Sequence, residues 1–428
     1  MFGSHEPYEI RDPIHGFVRL NQLEWDIINH ASFQRLHRIR QLAWTDLVYP
    51  GAMHTRFEHS LGVMHVASRL FDAVVRRSGD VLKADYGLDD GMLSRQRRII
   101  RMAALLHDVG HGPFSHAAED VFPLRDDGTG RYQHEDYSDA IVRDAVSDVI
   151  DNHREAKASG IGIDDILSIF SGLPATSGSL VWKDIVSGQM DADRMDYLLR
   201  DAHHAGVQYG RYDLDRLVYA VQLCEEPGDH GHHIGVDEDG IHAVEGLLIA
   251  RYMMFTQLYF HKTRSILDYH YEECLKHLLK ESGGVFPLPS SVGKFLEWDD
   301  WRVAGAIAAG HAGPHGKMLK DRMHYRKVFN TSEVMGQKDV EVVSELTEKL
   351  APLGGVLRDA SKSWYKAGPD EIRVRCTSGG IVRVVPLASL SPVVSGLKAV
   401  NQRRLYVPTA NRAKAEVIVM EVMGDKNA

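Results

Sequence analysis

The chain has 428 residues, of which 44% are apolar, so it can bury a large core without disulfides or bound ions to hold it together. Its formal net charge of −9 excludes a protein whose main task is to grip a nucleic-acid backbone, because that affinity comes from clustered Lys and Arg. The three cysteines are scattered, the amino-terminal segment lacks an apolar core, and no apolar stretch is long enough to span a bilayer. These features predict a cytoplasmic protein that is neither exported nor inserted in a membrane.

The amino-terminal two thirds of the chain predict helices. From Leu61 to Val74 the apolar residues recur at three- and four-residue steps, which is the spacing of one helix face. A second apolar run, 99–106, ends in His107-Asp108 before glycine and proline breakers, so this helix delivers a polar pair at its carboxyl end. Further helices are predicted over about 192–205 and, as one continuous segment, over 244 to about 279. The segment SGLPATSGS at 171–179 predicts a surface loop.

After residue 285 the pattern changes to strands. Apolar residues alternate with charged ones at Ile372, Val374 and Cys376, and the TSGG segment at 377–380 joins this strand to IVRVV as a hairpin. The segments RRLYVP (403–408) and AEVIVMEVM (415–423) predict two more strands. We therefore predict a mainly α protein with a helical core at 1–285 and a smaller α/β carboxyl-terminal domain at 286–428.

Four segments together supply imidazoles and carboxylates: 54–59, 107–116, 134–135 and 191–201. Two His and two Asp around one divalent ion suit Fe, Mn, Zn or Mg, and open coordination positions would admit water and a phosphate oxygen. An adjacent His-Asp pair is by itself typical of a solvated helix end. His111 and His116 follow it, however, behind glycines that permit close backbone approach, which favours a site.

Helical spacing also organises the last of these segments. Asp193, Tyr197 and Asp201 stand at i, i+4 and i+8 and so share one helix face. A solvated amphipathic helix with ordinary salt links is the alternative interpretation of this segment taken alone.

The order His59, His107-Asp108, Asp193 resembles the H…HD…D signature of the HD-domain phosphohydrolases. Longer strings resemble the deoxynucleoside triphosphate triphosphohydrolases, both bacterial and vertebrate: DPIHG (12–16), FQRL (33–36), VYPGAMHTRFEHSLGV (48–63), LLHDVGHGPFSH (105–116) and DRMDYLLRD (193–201). The resemblance spans about residues 10–265. It implies an HD-domain helical core, one divalent metal ion per site (Fe, Mn, Zn, Mg or Ni), a homo-oligomer (dimer or tetramer), and hydrolysis of deoxynucleoside triphosphates to deoxynucleoside and tripolyphosphate.

The resemblance also implies roles for individual residues. The metal ligands would be His59, His107, Asp108 and Asp193. His116 would be the acid for the leaving 5′-oxygen, His134 and Glu119 would hold and recharge it, and His111 is the other imidazole near enough to serve.

Substrate contacts follow from the same resemblance. Arg56, Arg194 and Arg251 would grip phosphate oxygens, with Lys262 adding positive charge. The sugar and base pocket would be formed by Gln41, Leu42, Tyr197, Asp201 and Tyr259. For Leu42 and Tyr259, core packing is the alternative role.

Regulation and substrate stay open at this stage. In the vertebrate relatives an acid that reads guanine precedes FQRL and an Arg follows it, whereas those places here hold Asn29 and His37, so the resemblance does not extend to activation by guanine nucleotide, and whether any nucleotide activates the protein stays open. We expect no nucleic-acid partner and no membrane. Because the superfamily shares its ligand set, two alternatives remain: a phosphohydrolase or phosphodiesterase acting on other nucleotides or nucleic-acid ends, and a catalytically weak nucleotide-sensing regulatory module.

Overall fold

A computed structural model describes residues 6–171, 179–225, 231–366, 368 and 371–425. The loop predicted at 171–179 lies outside the described residues except at its two ends. In the described part the chain is mainly helical, as predicted. None of its helices combines the length and the apolar character that crossing a bilayer demands.

The α-helices, numbered in chain order, are α1 Gln22–Asn29, α2 Ala31–Gln34, α3 Arg56–Tyr86, α4 Asp90–Leu106, α5 His134–Ile141, α6 Ser147–Asn152, α7 Arg154–Ala158, α8 Ile163–Ser171, α9 Ser179–Ser187, α10 Ala192–Ala205, α11 Leu214–Ala220, α12 Ile241–Met254, α13 Lys262–Leu278, α14 Val292–Leu296, α15 Asp300–Ala309, α16 Gly313–Lys320, α17 Gln337–Leu350, α18 Leu387–Leu390, α19 Pro392–Gly396 and α20 Arg412–Asp425. The strands are β1 Tyr8–Asp12, β2 Gly16–Leu20, β3 Val221–Glu225, β4 His232–Asp237, β5 Arg326–Asn330, β6 Val356–Lys362, β7 Arg373–Ser378, β8 Ile381–Pro386 and β9 Val400–Val407.

The helices that carry the predicted chemistry begin and end where local signals place them. Helix α3 starts behind Thr55, which forms a capping box with Glu58, so His59 lies in its first turn. Helix α4 ends at Leu106 and is capped by His107, as predicted. Helix α10 matches the predicted range, because Asp191 caps its start and Gly206, in the left-handed conformation, ends it.

The single helix predicted over 244–279 is wrong. Helix α12 passes into a π-helical turn at Phe255–Tyr259. The helix is then interrupted at Phe260 and His261, and α13 begins at Lys262. The His261 side chain caps α13 by accepting from the Thr263 amide. The residues from His261 to Arg264 at the break are polar but include neither Gly nor Pro, so no helix-breaking residue marked it in the sequence.

Some of the strand predictions for the carboxyl-terminal part are confirmed and one is wrong. The hairpin of β7 and β8 is confirmed, with Gly379 and Gly380 at positive φ in its two-residue turn, and RRLYVP lies largely in β9. The strand predicted at 415–423 is wrong, because this segment lies in α20. Its Val and Ile residues favour strands, but Ala415 and Val422 are buried in a core shared with α17 and β9, and such packing overrides local propensity.

In the described part of the chain the strands form three sheets. Strands β1 and β2 form a hairpin, the second sheet has the order β3-β4-β7-β8 with β4 and β7 parallel, and the third has the order β5-β9-β6. The second sheet therefore joins strands from either side of residue 285, and a large core runs from Val18 to Val394. A smaller core lies under the third sheet. The division into domains at 285/286 stays a prediction.

Candidate functional site

A cavity of about 500 Å³ lies where the first turn of α3, the carboxyl end of α4, the start of α5 and helix α10 meet α12 and the end of β6. It gathers most of the residues predicted for a site. The members that line it are Gln41, Leu42, Arg56, His107, Asp108, His111, His116, His134, Asp193, Arg194, Tyr197, Asp201, Arg251 and Tyr259. His59 and Glu119 contact lining residues from behind.

Four predicted metal ligands converge at one end of this cavity. Nε2 of His59 lies 3.1 Å from Asp193 Oδ1 and 3.3 Å from Asp108 Oδ2. Nε2 of His107 lies 3.2 Å from Asp108 Oδ1 and 3.8 Å from Asp193 Oδ1. Two ligands at about 2.1 Å from one ion are at most about 4.2 Å apart, so each of these spacings suits a shared ion.

The hydrogen bonds of the two imidazoles leave the right atoms available for an ion. Nδ1 of His59 lies 2.8 Å from Asp196 Oδ2, and Nδ1 of His107 lies 2.8 Å from the Ala104 carbonyl oxygen. Both acceptors require a proton on Nδ1, so each Nε2 keeps its lone pair. These two buried Nε2 atoms have no hydrogen-bond partner among the described residues, which is the arrangement that a metal ligand needs.

Electrostatics favour a positive charge at this point. Burial would lower the pKa of His59, but the neighbouring carboxylates of Asp108, Asp193 and Asp196 outweigh it and raise that pKa well above its ordinary value. Burial would raise the pKa of Asp193, but His107 and His59 hold it well below its usual range. The cluster therefore stabilises a cation among its carboxylates, and the residues present fit a divalent ion.

Asp196 fixes the orientation of His59, a role that sequence reasoning did not assign. Its carboxylate also contacts His15 Nε2 at 2.7 Å and accepts from Arg200 Nε and Nη2 at 2.8 and 2.9 Å. Arg200 Nη1 in turn donates to Asp12 Oδ2 at 2.8 Å. Asp196 follows Asp193 by three residues on α10, so helical spacing carried a signal for it.

A second cluster of His111, His116, Glu119 and His134 lies beside the first. Oε1 of Glu119 lies 2.7 Å from His134 Nδ1 and 2.9 Å from His116 Nδ1. Burial would lower the pKa of His134, but Glu119 outweighs it and raises that pKa. Burial, Arg56 and His134 lower the pKa of His111 well below its ordinary value. The cluster thus favours protonation of His134 and the neutral form of His111.

The predicted sugar and base residues line a part of the same cavity that we call the nucleoside end, and several of them contact one another. Asp201 contacts His54 Nε2 at 2.7 Å and accepts from the Tyr259 hydroxyl at 2.5 Å. Burial raises the pKa of Tyr197 to about 12, so its phenol stays neutral. Gln41 Oε1 is buried without a hydrogen-bond partner among the described residues. Polar groups able to contact a nucleoside therefore line this end.

The predicted cationic residues differ in what they contact. Arg194 and Arg251 line the cavity; Arg194 Nη1 lies 3.2 Å from Asp191 Oδ2, whereas the buried Arg251 Nε has no hydrogen-bond partner among the described residues. Arg56 lines it too, but its Nη1 donates to Asp108 and its Nε donates to Ser115 Oγ at 2.9 Å. Arg56 therefore anchors a carboxylate of the metal cluster.

The structure does not bring Lys262 to this cavity. The break at 260–261 places Lys262, the first residue of α13, in a separate surface pocket with His324, Arg326 and Tyr406. The lysine that lines the cavity is Lys362, at the end of β6. Burial, and then Arg251 and Arg194, lower the pKa of Lys362. Sequence reasoning missed Lys362 because nothing local ties β6 to the histidine-rich segments.

Comparisons with known proteins agree with this arrangement. Residues 56–201 match the HD domain family, and residues 212–352 match the HD associated region. The uncharacterized protein YwfO of Bacillus subtilis is 39% identical over 257 residues, which are 60% of this chain and 52% of that protein. The deoxynucleoside triphosphate triphosphohydrolase SAMHD1 of Danio rerio is 28% identical over 321 residues, which are 68% of this chain and 49% of that protein.

A solved structure extends the likeness to the whole fold. The crystal structure of a hypothetical protein from Aquifex aeolicus is 29% identical, with a TM-score of 0.77, and the match covers 96% of this chain and 99% of that one. The chain spans about half the length of the curated relatives named above. With an HD domain that contains the His59, His107-Asp108 and Asp193 cluster, followed by an HD associated region, the chain belongs to the HD-domain superfamily and resembles its deoxynucleoside triphosphate triphosphohydrolases.

Proposed function

We propose that this protein is a metal-dependent hydrolase that converts a deoxynucleoside triphosphate and water to a deoxynucleoside and tripolyphosphate. One observation carries the proposal: a single cavity joins a His/Asp cluster with metal-ligand spacing to a His/Glu cluster and to buried cations. A triphosphate ester calls for all three, because its hydrolysis needs an activated water, a proton for the leaving group and compensation of phosphate charge.

His59, His107, Asp108 and Asp193 would hold one divalent ion. When bound, such an ion supplies an activated water and neutralises charge on the α-phosphate. Two imidazoles and two carboxylates accept Fe, Mn, Zn, Mg or Ni, so elemental analysis must decide between them.

His116 is our candidate donor of the proton to the leaving 5′-oxygen. Its side chain is 57% exposed, and its Nδ1 is held by Glu119 at 2.9 Å, which leaves Nε2 able to reach a ligand. Glu119 also holds His134, whose raised pKa keeps a proton available to recharge this pair. The lowered pKa of His111 keeps that imidazole neutral beside this pair.

Arg194, Arg251 and Lys362 would bind the polyphosphate. All three line the cavity, and the lowered pKa values of Arg251 and Lys362 reflect burial first, so an anion there would relieve an uncompensated positive charge. Asp201, held by Tyr259, would accept from the 3′-hydroxyl, and the Tyr197 ring would exclude a 2′-hydroxyl. This arrangement supports selection of deoxyribose.

The test is a product-resolved assay of the purified protein with Mn, Mg or Fe and each of the four common deoxynucleoside triphosphates. We expect deoxynucleoside and tripolyphosphate in equal amounts, and none from the Asp193→Ala variant. Each nucleotide is also added as an activator, and the mass of the protein in solution tests the expected dimer or tetramer.

Other outcomes would point to the alternative functions. Diphosphate or orthophosphate as the sole product would refute the proposed bond cleavage and favour a different phosphohydrolase of this superfamily. A metal-loaded protein that bound deoxynucleotides yet hydrolysed none of them with any activator would favour a regulatory module.

A further inference from the structure

Asp300, the first residue of α15, is 4% exposed and contacts the backbone of two separate loops. Its Oδ1 accepts from the Phe114 amide at 2.6 Å, and its Oδ2 accepts from the Arg40 amide at 2.8 Å. We call these segments the 40 loop (residues 39–42) and the 114 loop (residues 111–116). Each carboxylate oxygen thus holds one loop.

Both loops border the cavity that holds the candidate site. The 40 loop contributes Gln41 and Leu42 to the cavity wall, and the 114 loop contributes His111 and His116. Asp300 itself does not line the cavity. Any effect of Asp300 on the site must therefore act through these loops.

The 114 loop contains a strained turn. Phe114 and Ser115 both have φ of 58°, in the left-handed region that side chains other than glycine rarely adopt. Such a turn persists only where its surroundings hold it. The amide of the first strained residue is the donor to Asp300, so the carboxylate holds the loop where its backbone is least stable by itself.

Further contacts join the two loops on the side away from Asp300. Ser115 Oγ donates to the Arg40 carbonyl oxygen at 2.6 Å and accepts from Arg56 Nε at 2.9 Å. Residue 40 is therefore held from both sides, through its amide by Asp300 and through its carbonyl by Ser115. The Phe114 ring also stacks on Trp44, with 4.4 Å between ring centroids.

Charge and burial agree with this function of the carboxylate. Burial raises the pKa of Asp300 to about 7, and the amides of Arg40 and Phe114 are the largest influences that oppose this rise. The ionised carboxylate therefore depends on the two loops as they depend on it. Nearby, Arg35 Nη2 donates to the His111 carbonyl oxygen at 2.8 Å, and its Nε donates to the Trp298 carbonyl oxygen at 2.9 Å. Arg35 therefore gives a second connection between the 114 loop and the segment just before Asp300.

We propose that Asp300 is a positioning residue that sets the separation of the 40 loop and the 114 loop, and through it the placement of His116 against the nucleoside end of the cavity. Asp300 lies in the HD associated region, so this region would act on the cavity by holding the 114 loop of the HD domain and the 40 loop that precedes that domain. The role assigned to His116 rests on the proposed function. The holding of the loops does not.

The first test therefore needs no turnover. Hydrogen–deuterium exchange is measured on the metal-loaded protein for peptides that cover residues 39–42 and 111–116. We expect Asp300→Asn to speed exchange in both peptides, because an amide can accept through only one atom and its NH₂ group opposes the other backbone N–H. Unchanged exchange in both peptides would overturn the proposal.

Asp299→Asn is the matched control. Asp299 caps the same helix by accepting from the Arg302 amide and pairs with Arg38 Nε at 2.6 Å, but it contacts the backbone of neither loop. We expect exchange in both peptides to stay at the wild-type rate in this variant. If Asp300→Asn does not fold, Asp300→Glu is measured in its place with the same expected direction, because the longer side chain displaces both oxygens.

The second test separates positioning from general damage. We expect Asp300→Asn to lower kcat for a deoxynucleoside triphosphate about 100-fold, since a displacement of about 1 Å is enough for such a loss. For 4-nitrophenyl triphosphate, whose leaving group needs no proton and carries no sugar, we expect a loss of less than about 3-fold. Equal losses on both substrates, or lower metal content in the variant, would overturn the positioning role.

The two tests also separate this inference from the proposed function. An inactive wild type would refute the proposed function, and the exchange result would still decide whether Asp300 holds the loops.

Discussion

Replacing Gly62 with alanine tests whether the hydrogen bonds behind His59 are rigid. Gly62 lies in the second turn of α3, three residues after His59. A Cβ atom there would lie 1.9 Å from Asp196 Oδ1 and 2.4 Å from Arg200 Nη2. Neither group is the loose end of a side chain, because each is held by several hydrogen bonds. The carboxylate or the guanidinium must therefore move.

The magnitude follows from three opposing effects. Alanine is favoured over glycine inside a helix by about 1 kcal/mol. Overpacking costs about 1–3 kcal/mol, and each charge-assisted hydrogen bond that Asp196 loses costs about 1.5–3 kcal/mol more. If one bond is lost, we expect the free energy of unfolding to fall by about 1.5–5 kcal/mol. Because Asp196 orients His59, metal affinity should fall about 10–100-fold as well.

The assay combines denaturant unfolding with elemental analysis of the bound metal. Gly246→Ala in α12 is the control, because a Cβ atom there would meet nothing nearer than Tyr212 Cβ at 3.8 Å. We expect this variant to be as stable as the wild type or up to about 1 kcal/mol more stable. A Gly62→Ala protein with wild-type stability and wild-type metal content would refute our reasoning about Asp196.

Three further predictions concern the site. Asp193→Ala should lose metal and activity together, whereas His116→Ala should keep its metal and lose most of the rate; elemental analysis beside a rate assay tests both. Lys362→Ala should raise KM for a deoxynucleoside triphosphate by about 10-fold, because one buried contact between charged groups is worth about 1.4 kcal/mol or more. Glu119→Gln should lower the free energy of unfolding by about 1–3 kcal/mol near pH 6 and by less at about pH 3 and about pH 9, as measured by denaturant unfolding at each pH.

The expected pH dependence of the Glu119→Gln effect follows from the pKa shifts of Glu119 and His134. Burial would raise the pKa of Glu119, but His116 and His134 outweigh it and lower that pKa, so its contribution is fully present above its ordinary value of 4.5 and is lost progressively as the pH falls from there through the lowered pKa. The pKa of His134 is raised above 6.5, so its contribution is present at lower pH and is lost as the pH rises through the raised value. A Glu119 effect that did not depend on pH would contradict this pairing.

Controls come from the same chain. Lys262→Ala should leave KM unchanged, since Lys262 lies in a separate pocket. Asp120 is next to Glu119 in the chain but is exposed. The change in the free energy of unfolding caused by Asp120→Asn should therefore not be largest near pH 6. Turnover preserved in the Asp193 variant would remove that residue from the ligand set.

Much of the helical core was open to prediction from the sequence, because its signals are local. The caps around α10 and the apolar run that ends at His107 fix helix bounds through contacts within a few residues. The spacing of Asp193, Tyr197 and Asp201 likewise indicated one helix face, and all three line the cavity. The meeting of His59 with Asp193 was not local, and only the resemblance to a known family supported it in advance.

What the sequence by itself determined is the set of helices and the residue types able to carry metal-assisted chemistry. Tertiary structure decided which of them act together: it placed Lys362 rather than Lys262 in the cavity, turned a strand-like segment into α20, and set Asp300 between two loops. Periodicity and capping reach only a few residues along the chain, whereas these outcomes depend on packing between segments far apart in sequence.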